Sequence, residues 1–206
     1  MPASVLNPPK LPKTPRQCDR VACILQAARQ AFAENAFHEV LMDDVAKEAG
    51  VGKGTIYRYF PDKESLYFAV IFDGVEDLQR RIQTTLPDRG DVEGTVRELV
   101  ATLVSFFRQN RFFFRLMNVE DSKVGGGDNP NRRQWGRKRG ELIDAIAQML
   151  ARARDTRALN IRYPRTDAQI LIGMVRSVLR HNEDNLTVQQ MADEIVRIYL
   201  HGTRRG

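Results

Sequence analysis

Apolar residues recur every three or four positions along almost the whole chain, and no segment alternates as a half-buried strand does. The pattern predicts an all-α protein of about nine helices. Val21, Ile24, Leu25, Ala28 and Phe32 form one stripe of a first helix. Thr14-Pro15-Arg16-Gln17 reads as its capping box, with proline at the first helical position. Asn35-Ala36 is expected to end it, asparagine being able to take a left-handed conformation. Asp62 is the expected N-cap of a later helix running through Leu66, Phe68, Val70 and Ile71 toward Ile82. Leu86 to Gly90 reads as a turn. Val96, Leu99, Val100, Leu103, Val104 and Phe107 then fall at helical spacing until Asn110, and Phe112, Phe113, Phe114, Leu116 and Met117 make a short aromatic segment. Gly125-Gly126-Gly127-Asp128-Asn129-Pro130 is expected to be a flexible break. A long helix with Trp135, Leu142, Ile146, Met149 and Leu150 follows. Thr166-Asp167-Ala168-Gln169 and Thr187-Val188-Gln189-Gln190 read as capping boxes of the last two helices.

Between the first helix and Pro61 the periodicity shortens. Residues 37–68, FHEVLMDDVAKEAGVGKGTIYRYFPDKESLYF, read as a helix, a tight turn at Gly50, a short second helix, and a third helix after Pro61. Val45, Ala46, Ala49, Val51 and Ile56 are small or apolar where two crossed helices pack. Lys53, Thr55, Tyr57, Arg58 and Tyr59 crowd the short helix with donors. A compact helix that is polar and aromatic outside suits a DNA major groove.

Charge changes this picture less than the total implies. The 206 residues carry a net charge of +6, which favours nucleic acid as a partner. From Thr14 to Phe60, however, Arg16, Arg20, Arg29, Lys47, Lys53 and Arg58 are balanced by Asp19, Glu34, Glu39, Asp43, Asp44 and Glu48. The DNA reading therefore rests on where Lys53, Arg58 and Lys63 sit. No apolar run is long enough to span a bilayer. The Pro-rich residues 1–13 lack the apolar core of a signal peptide, so a disordered tail and a cytoplasmic protein are expected. Cys18 and Cys23, five apart, fit neither a redox nor a zinc spacing and read as reduced thiols. His181, His201, Glu183 and Asp184 match no metal site, and no catalytic spacing or phosphate-binding loop appears. No enzyme activity and no cofactor are expected.

The run Asp43–Phe60, with Phe37 before it and Lys63-Glu64-Ser65-Leu66 after it, resembles the TetR family of transcriptional regulators. The spacing of Gly50, Thr55, Tyr57, Phe60 and Lys63 carries the resemblance, over roughly the first third of the chain. It implies a helix-turn-helix DNA-binding domain at 14–62, with the motif at about 40–59. It also implies an all-helical ligand-binding and dimerisation domain at 63–206. A homodimer is implied too, in which the last two helices pair with their mates. It would act as a repressor on a palindromic operator and be released by a small-molecule effector; the alternative is a DNA-binding regulator that no ligand gates. Two positions depart from the family. Ala36 stands where Gly is usual, and Leu41 stands where a hydroxyl residue usually caps the second helix, a loss worth about 1 kcal/mol. Asp43 and Asp44 offset part of that through the helix dipole.

The resemblance assigns DNA contacts to Lys53, Gly54, Thr55, Tyr57, Arg58, Tyr59 and Lys63. Thr55 would face base edges, Lys53 a guanine edge or merely a phosphate, Gly54 would admit close backbone approach, Arg58 would reach a phosphate or a base, and the tyrosines and Lys63 would meet phosphates. Phe106, Phe107, Phe113, Phe114, Met117, Trp135 and Leu142 admit two readings, the wall of an effector cavity or plain core. Leu171, Met174, Val175, Val178, Met191, Ile195 and Ile198 are the expected dimer residues. Arg132, Arg133, Arg137, Lys138 and Arg139 are either a solvated helix face or an attraction for an acidic effector.

Overall fold

The computed structural model describes residues 15–85, 92–122, 129–155, 161–182 and 184–203. The expected tail, the Thr14 cap, the turn at 86–90, the glycines at 125–127 and Glu183 lie outside them. Among the described residues the protein is all-α: α1 (Pro15–Glu34), α2 (Met42–Glu48), α3 (Lys53–Tyr59), α4 (Lys63–Thr85), α5 (Val92–Gln109), α6 (Arg111–Ser122), α7 (Pro130–Asp155), α8 (Pro164–Arg180) and α9 (Val188–Thr203). No helix is long and apolar enough to cross a membrane.

Most helix ends follow the expected local chemistry. Asp62 Oδ1 accepts the Ser65 N–H at 2.7 Å and so caps α4. Thr187 and Gln190 exchange the two reciprocal bonds of a capping box at α9. Two ends differ. Asn35 is not left-handed; its side-chain amide donates to the Ala31 carbonyl at 3.0 Å and satisfies the end of α1 that way. Helix α8 starts at Pro164, two residues before Thr166. Proline is preorganised for the first helical position, and Asp167 reaches back to accept the Tyr163 N–H at 3.3 Å.

The chain packs as two units, one comprising residues up to Gly74 with Arg115–Gly136 and the other Val75–Phe114 with Arg137–Gly206. The packing division thus falls inside α4. In the first unit, α2 packs on both α1 and α3. Its core includes Ile24, Ala28, Phe32, Val45, Ala46, Ile56, Phe60, Leu66 and Phe68. Phe32, Phe37 and Tyr67 add stacked and edge-on ring contacts at 5.1–6.0 Å. In the second unit, α5, α8 and α9 pack on one another. Phe106, Phe107, Phe113 and Phe114 form one cluster of rings there, with centroids 5.5–6.3 Å apart.

Three polar ties hold the first unit together. Lys63, the first residue of α4, donates to the carbonyls of Val40 at 2.9 Å and His38 at 3.0 Å, with its amine 4.9 Å from the centroid of the Phe37 ring. It therefore clips the loop that delivers α2. Arg115 of α6 donates to the Phe32 and Ala33 carbonyls, both at 3.1 Å, at the C-terminal end of α1. Carbonyls there have no partners within the helix, and a cation suits that end of the dipole. Asn129 accepts the Asn131 N–H at 2.9 Å to cap α7, and donates to Glu64 Oε1 of α4 at 2.8 Å.

The clip predicts the outcome of Lys63→Met. Two charge-assisted bonds to backbone carbonyls are lost, so stability falls by about 1–2 kcal/mol in a denaturant titration. If Lys63 keeps these carbonyls in preference to the phosphate that the sequence assigns it, the log–log salt slope for the expected DNA partner stays unchanged. A slope lower by about one with unaltered stability would show the reverse.

Candidate nucleic-acid interface

The turn between α2 and α3 is built on Gly50, whose φ of +65° is the left-handed region that a Cβ disfavours. The Val51 N–H donates to the Ala46 carbonyl at 2.9 Å, and Gly50 N–H to Lys47 at 3.1 Å, closing the end of α2. Gly52 then takes an extended conformation at the N-cap of α3 without a side-chain cap. Helix α2 also begins without one: Leu41 is extended, makes no cap bond and is 58% exposed. Asp43 and Asp44 stand in its first turn, as the sequence implied.

Helix α3 has only seven residues. Such a helix is not stable alone, and two of its side chains do the anchoring. Ile56 is wholly buried and Tyr59 nearly so, with Phe60 at the C-cap buried behind them. These positions leave Lys53, Gly54, Tyr57 and Arg58 on the exposed side and Thr55 half-buried. Tyr57 is 41% exposed. A Cβ added at Gly54 meets nothing within 4 Å, so nothing in the fold itself requires glycine there.

The structure places the seven expected DNA residues unequally. Lys53, Gly54, Thr55, Tyr57 and Arg58 share one region of α3. Tyr59 does not join them; its hydroxyl is shut off from solvent with no partner among the described residues. The reason is helical phase, since Tyr59 lies three residues after Ile56 and so on the same inward face. The Arg58 guanidinium lies over the Tyr59 ring, 5.2 Å from its centre. Lys63, half-buried, gives its amine to the α1–α2 loop as described above.

One electrostatic feature was not visible as a pattern in the sequence. Lys53 Nζ lies 2.6 Å from Asp43 Oδ2, and the two side chains are 68% and 52% exposed. The hydrogen bond and then the charge of Asp43 raise the Lys53 pKa, so the amine stays cationic at any neutral pH. Within α2 and α3, Lys47, Lys53 and Arg58 balance Asp43, Asp44 and Glu48. The two helices together therefore carry no net charge.

The expected effector residues fall in both packing units. Phe106, Phe107, Phe113 and Leu142 are buried and Phe114 half-buried in one; Met117 and Trp135 are buried in the other. The indole Nε1 of Trp135 has no acceptor among the described residues.

The expected dimer residues divide as well. Leu171, Val175, Met191 and Ile195 are at most 1% exposed and belong to the core of their own unit, so they do not form a free face. Met174 and Val178 are half-buried, and Ile198 is 49% exposed. Ile170, absent from the expected set, is 51% exposed. Ile170, Met174 and Val178 follow one another at four-residue spacing, one helical line displaced from the buried Leu171–Val175 line.

Comparison with known proteins bears on the first part of the chain most strongly. Residues 24–70, which span α2, the Gly50 turn and α3, match the model of the family described as bacterial regulatory proteins, tetR family. The chain is 29% identical over 103 residues to the HTH-type transcriptional activator FasR of Mycolicibacterium smegmatis, covering 50% of this chain and 47% of that one. It is 30% identical over 82 residues to the fatty acid metabolism regulator protein of Bacillus subtilis, covering 40% of each. The chain thus spans about half the length, or less, of these curated relatives. The solved fatty acid degradation regulator FadR of Bacillus halodurans shares the fold with a TM-score of 0.74 at 20% identity, over 92% of this chain and 97% of that one. The helix pair turned at Gly50 thus lies in a segment similar to the tetR family of bacterial regulatory proteins, and the chain shares its fold with solved regulators along most of its length.

Proposed function

We propose that this protein regulates transcription as a homodimer, binding a palindromic operator through α3 and acting as a repressor that a small molecule releases. The observation that carries the reading is the two-sidedness of α3. Ile56 and Tyr59 face the core, and Lys53, Gly54, Thr55, Tyr57 and Arg58 are left for DNA. Lys53 suits the O6 and N7 of guanine, and the Thr55 methyl and hydroxyl suit a thymine or a neighbouring acceptor. Tyr57 and Arg58 serve phosphates, which fix register. Gly54 lets the backbone approach the groove.

Helix α8 supports dimerisation. Ile170, Met174 and Val178 form an apolar line that the chain's own core leaves open, and Ile198 of α9 is exposed too. Effector release is supported by Arg115 and Asn129, which tie α6 and α7 to the helices of the DNA-binding head. A ligand that moves either helix pulls on α1 or α4. Tenfold release needs a differential affinity of about 1.4 kcal/mol between the two conformations. The unmatched indole N–H of Trp135 favours a ligand with an acceptor, since a buried donor without one costs about 1–3 kcal/mol. Two relatives named for fatty acid metabolism or degradation make an acyl compound the first class to titrate. The close-packed Phe106–Phe107–Phe113 rings favour the ungated alternative, and an absence of heat with acyl compounds in calorimetry would select it.

Two substitutions on α3 test the DNA face. Gly54→Ala leaves the fold as stable or up to about 1 kcal/mol more stable, because alanine is the better helix former and the site is open. It weakens operator binding tenfold or more, because the added methyl stands between backbone and DNA. Tyr59→Phe removes a buried hydroxyl that lacks a partner, raises the melting temperature and retains operator affinity. Loss of affinity in Tyr59→Phe, or none in Gly54→Ala, would overturn this assignment of faces.

Sedimentation tests the dimer. The wild type should run at twice the 23.5 kDa chain mass. Ile170→Glu with Ile198→Glu should run at one chain mass while keeping its helical circular dichroism, and should lose operator binding. A double variant that remains a dimer would move the interface elsewhere.

A further inference from the structure

We infer that Asp43 sets the DNA specificity of this protein by holding Lys53 away from phosphates without touching DNA itself. The inference rests on α3 being the DNA-binding element, as proposed above. The two residues come from different helices, Asp43 from the first turn of α2 and Lys53 from the start of α3, and their charged atoms meet at 2.6 Å on an exposed surface.

Nonspecific affinity for DNA comes from cations that replace counterions on phosphates. A bare Lys53 on the exposed face of α3 would be such a cation for every sequence. With Asp43 bound to it, an approaching phosphate meets a neutral pair and is repelled by the carboxylate. A base edge carries no full charge, so the carboxylate opposes it far less. A lysine ammonium has three N–H donors. One is held by Asp43, and two stay free for the adjacent O6 and N7 acceptors of a guanine. The same bond removes rotamer freedom from a long flexible side chain before DNA arrives, which otherwise opposes a directional contact. Asp43 thus suppresses the sequence-blind use of Lys53 and keeps its sequence-reading use.

Asp44 provides the control. It is exposed on the same turn and has no ion-pair partner among the described residues, so Asp44→Asn removes one negative charge without freeing Lys53. The experiment measures binding of the full chain by fluorescence anisotropy, to a duplex selected by the wild type from a random library and to a scrambled duplex. Titrations span several salt concentrations. Asp43→Asn should tighten the scrambled duplex about three- to tenfold and steepen its log–log salt slope by about one. It should leave the selected duplex within about twofold. Asp44→Asn should tighten both duplexes alike and by less. In a Lys53→Ala background, Asp43→Asn should do no more than Asp44→Asn. The melting temperature should move by no more than about 2 °C, as expected for an exposed pair. A selective wild type with Asp43→Asn matching Asp44→Asn, or an Asp43→Asn effect that survives Lys53→Ala, overturns this inference alone. A wild type that binds no duplex overturns the DNA reading, and this inference with it.

Discussion

A seven-residue helix cannot hold itself together in water, and the outer face of α3 exists only because its inner face is buried. Ile56 supplies most of that constraint. It is fully enclosed, and Val45 and Ala46 of α2, the helix that packs on α3, are buried too. Gly50 makes the crossing possible by taking the left-handed conformation that turns the chain within a few residues. Tyr59 and Phe60 close the far end. Once those side chains are fixed, helical phase leaves no freedom about which residues face out. Lys53, Gly54, Tyr57 and Arg58 are exposed as a consequence of Ile56 and Tyr59 being buried.

The charged residues of this head are used mainly on the protein itself. Lys63 is bonded to two loop carbonyls, Arg115 to two carbonyls of α1, Arg29 to Asp73 and Lys53 to Asp43. Lys63 and Arg115 neutralise backbone groups that loops and helix ends leave open, so they serve the geometry of the head before any partner arrives. A net charge of +6 therefore overstates how much free positive charge the head offers. On the proposed reading, affinity comes from a few placed contacts, and discrimination between sequences is correspondingly sensitive to the neighbours of those contacts.

The helices, the Gly50 turn and the Asp62 and Thr187 caps were legible in the sequence because each depends on residues within four positions of one another. The packing face of α3 was half legible. Ile56 was recognisable as core, but Tyr59 has a hydroxyl and sits in a string of donors, and only its phase relative to Ile56 turns it inward. The carbonyl partners of Lys63 were hidden for a different reason. Its partners, the carbonyls of His38 and Val40, are 25 and 23 residues away and carry no side-chain signature. The Lys53–Asp43 pair was hidden likewise, since a separation of ten residues is meaningful only once the turn at Gly50 has folded the two helices together.

Helix α8 shows a further limit of periodicity. Its apolar residues occupy two adjacent lines, Leu171–Val175 and Ile170–Met174–Val178, and a hydrophobic pattern records both without ranking them. Burial separates them: the first line is consumed by α5 and α9, and the second is not. On the proposed reading a short α3 brings only two or three side chains to base edges, and each good pairing discriminates by about 1–3 kcal/mol. One head is then a weak reader of DNA. Two heads joined rigidly add their discrimination over a site twice as long. On the same reading, the apolar line left open on α8 is the surface that a second copy would cover.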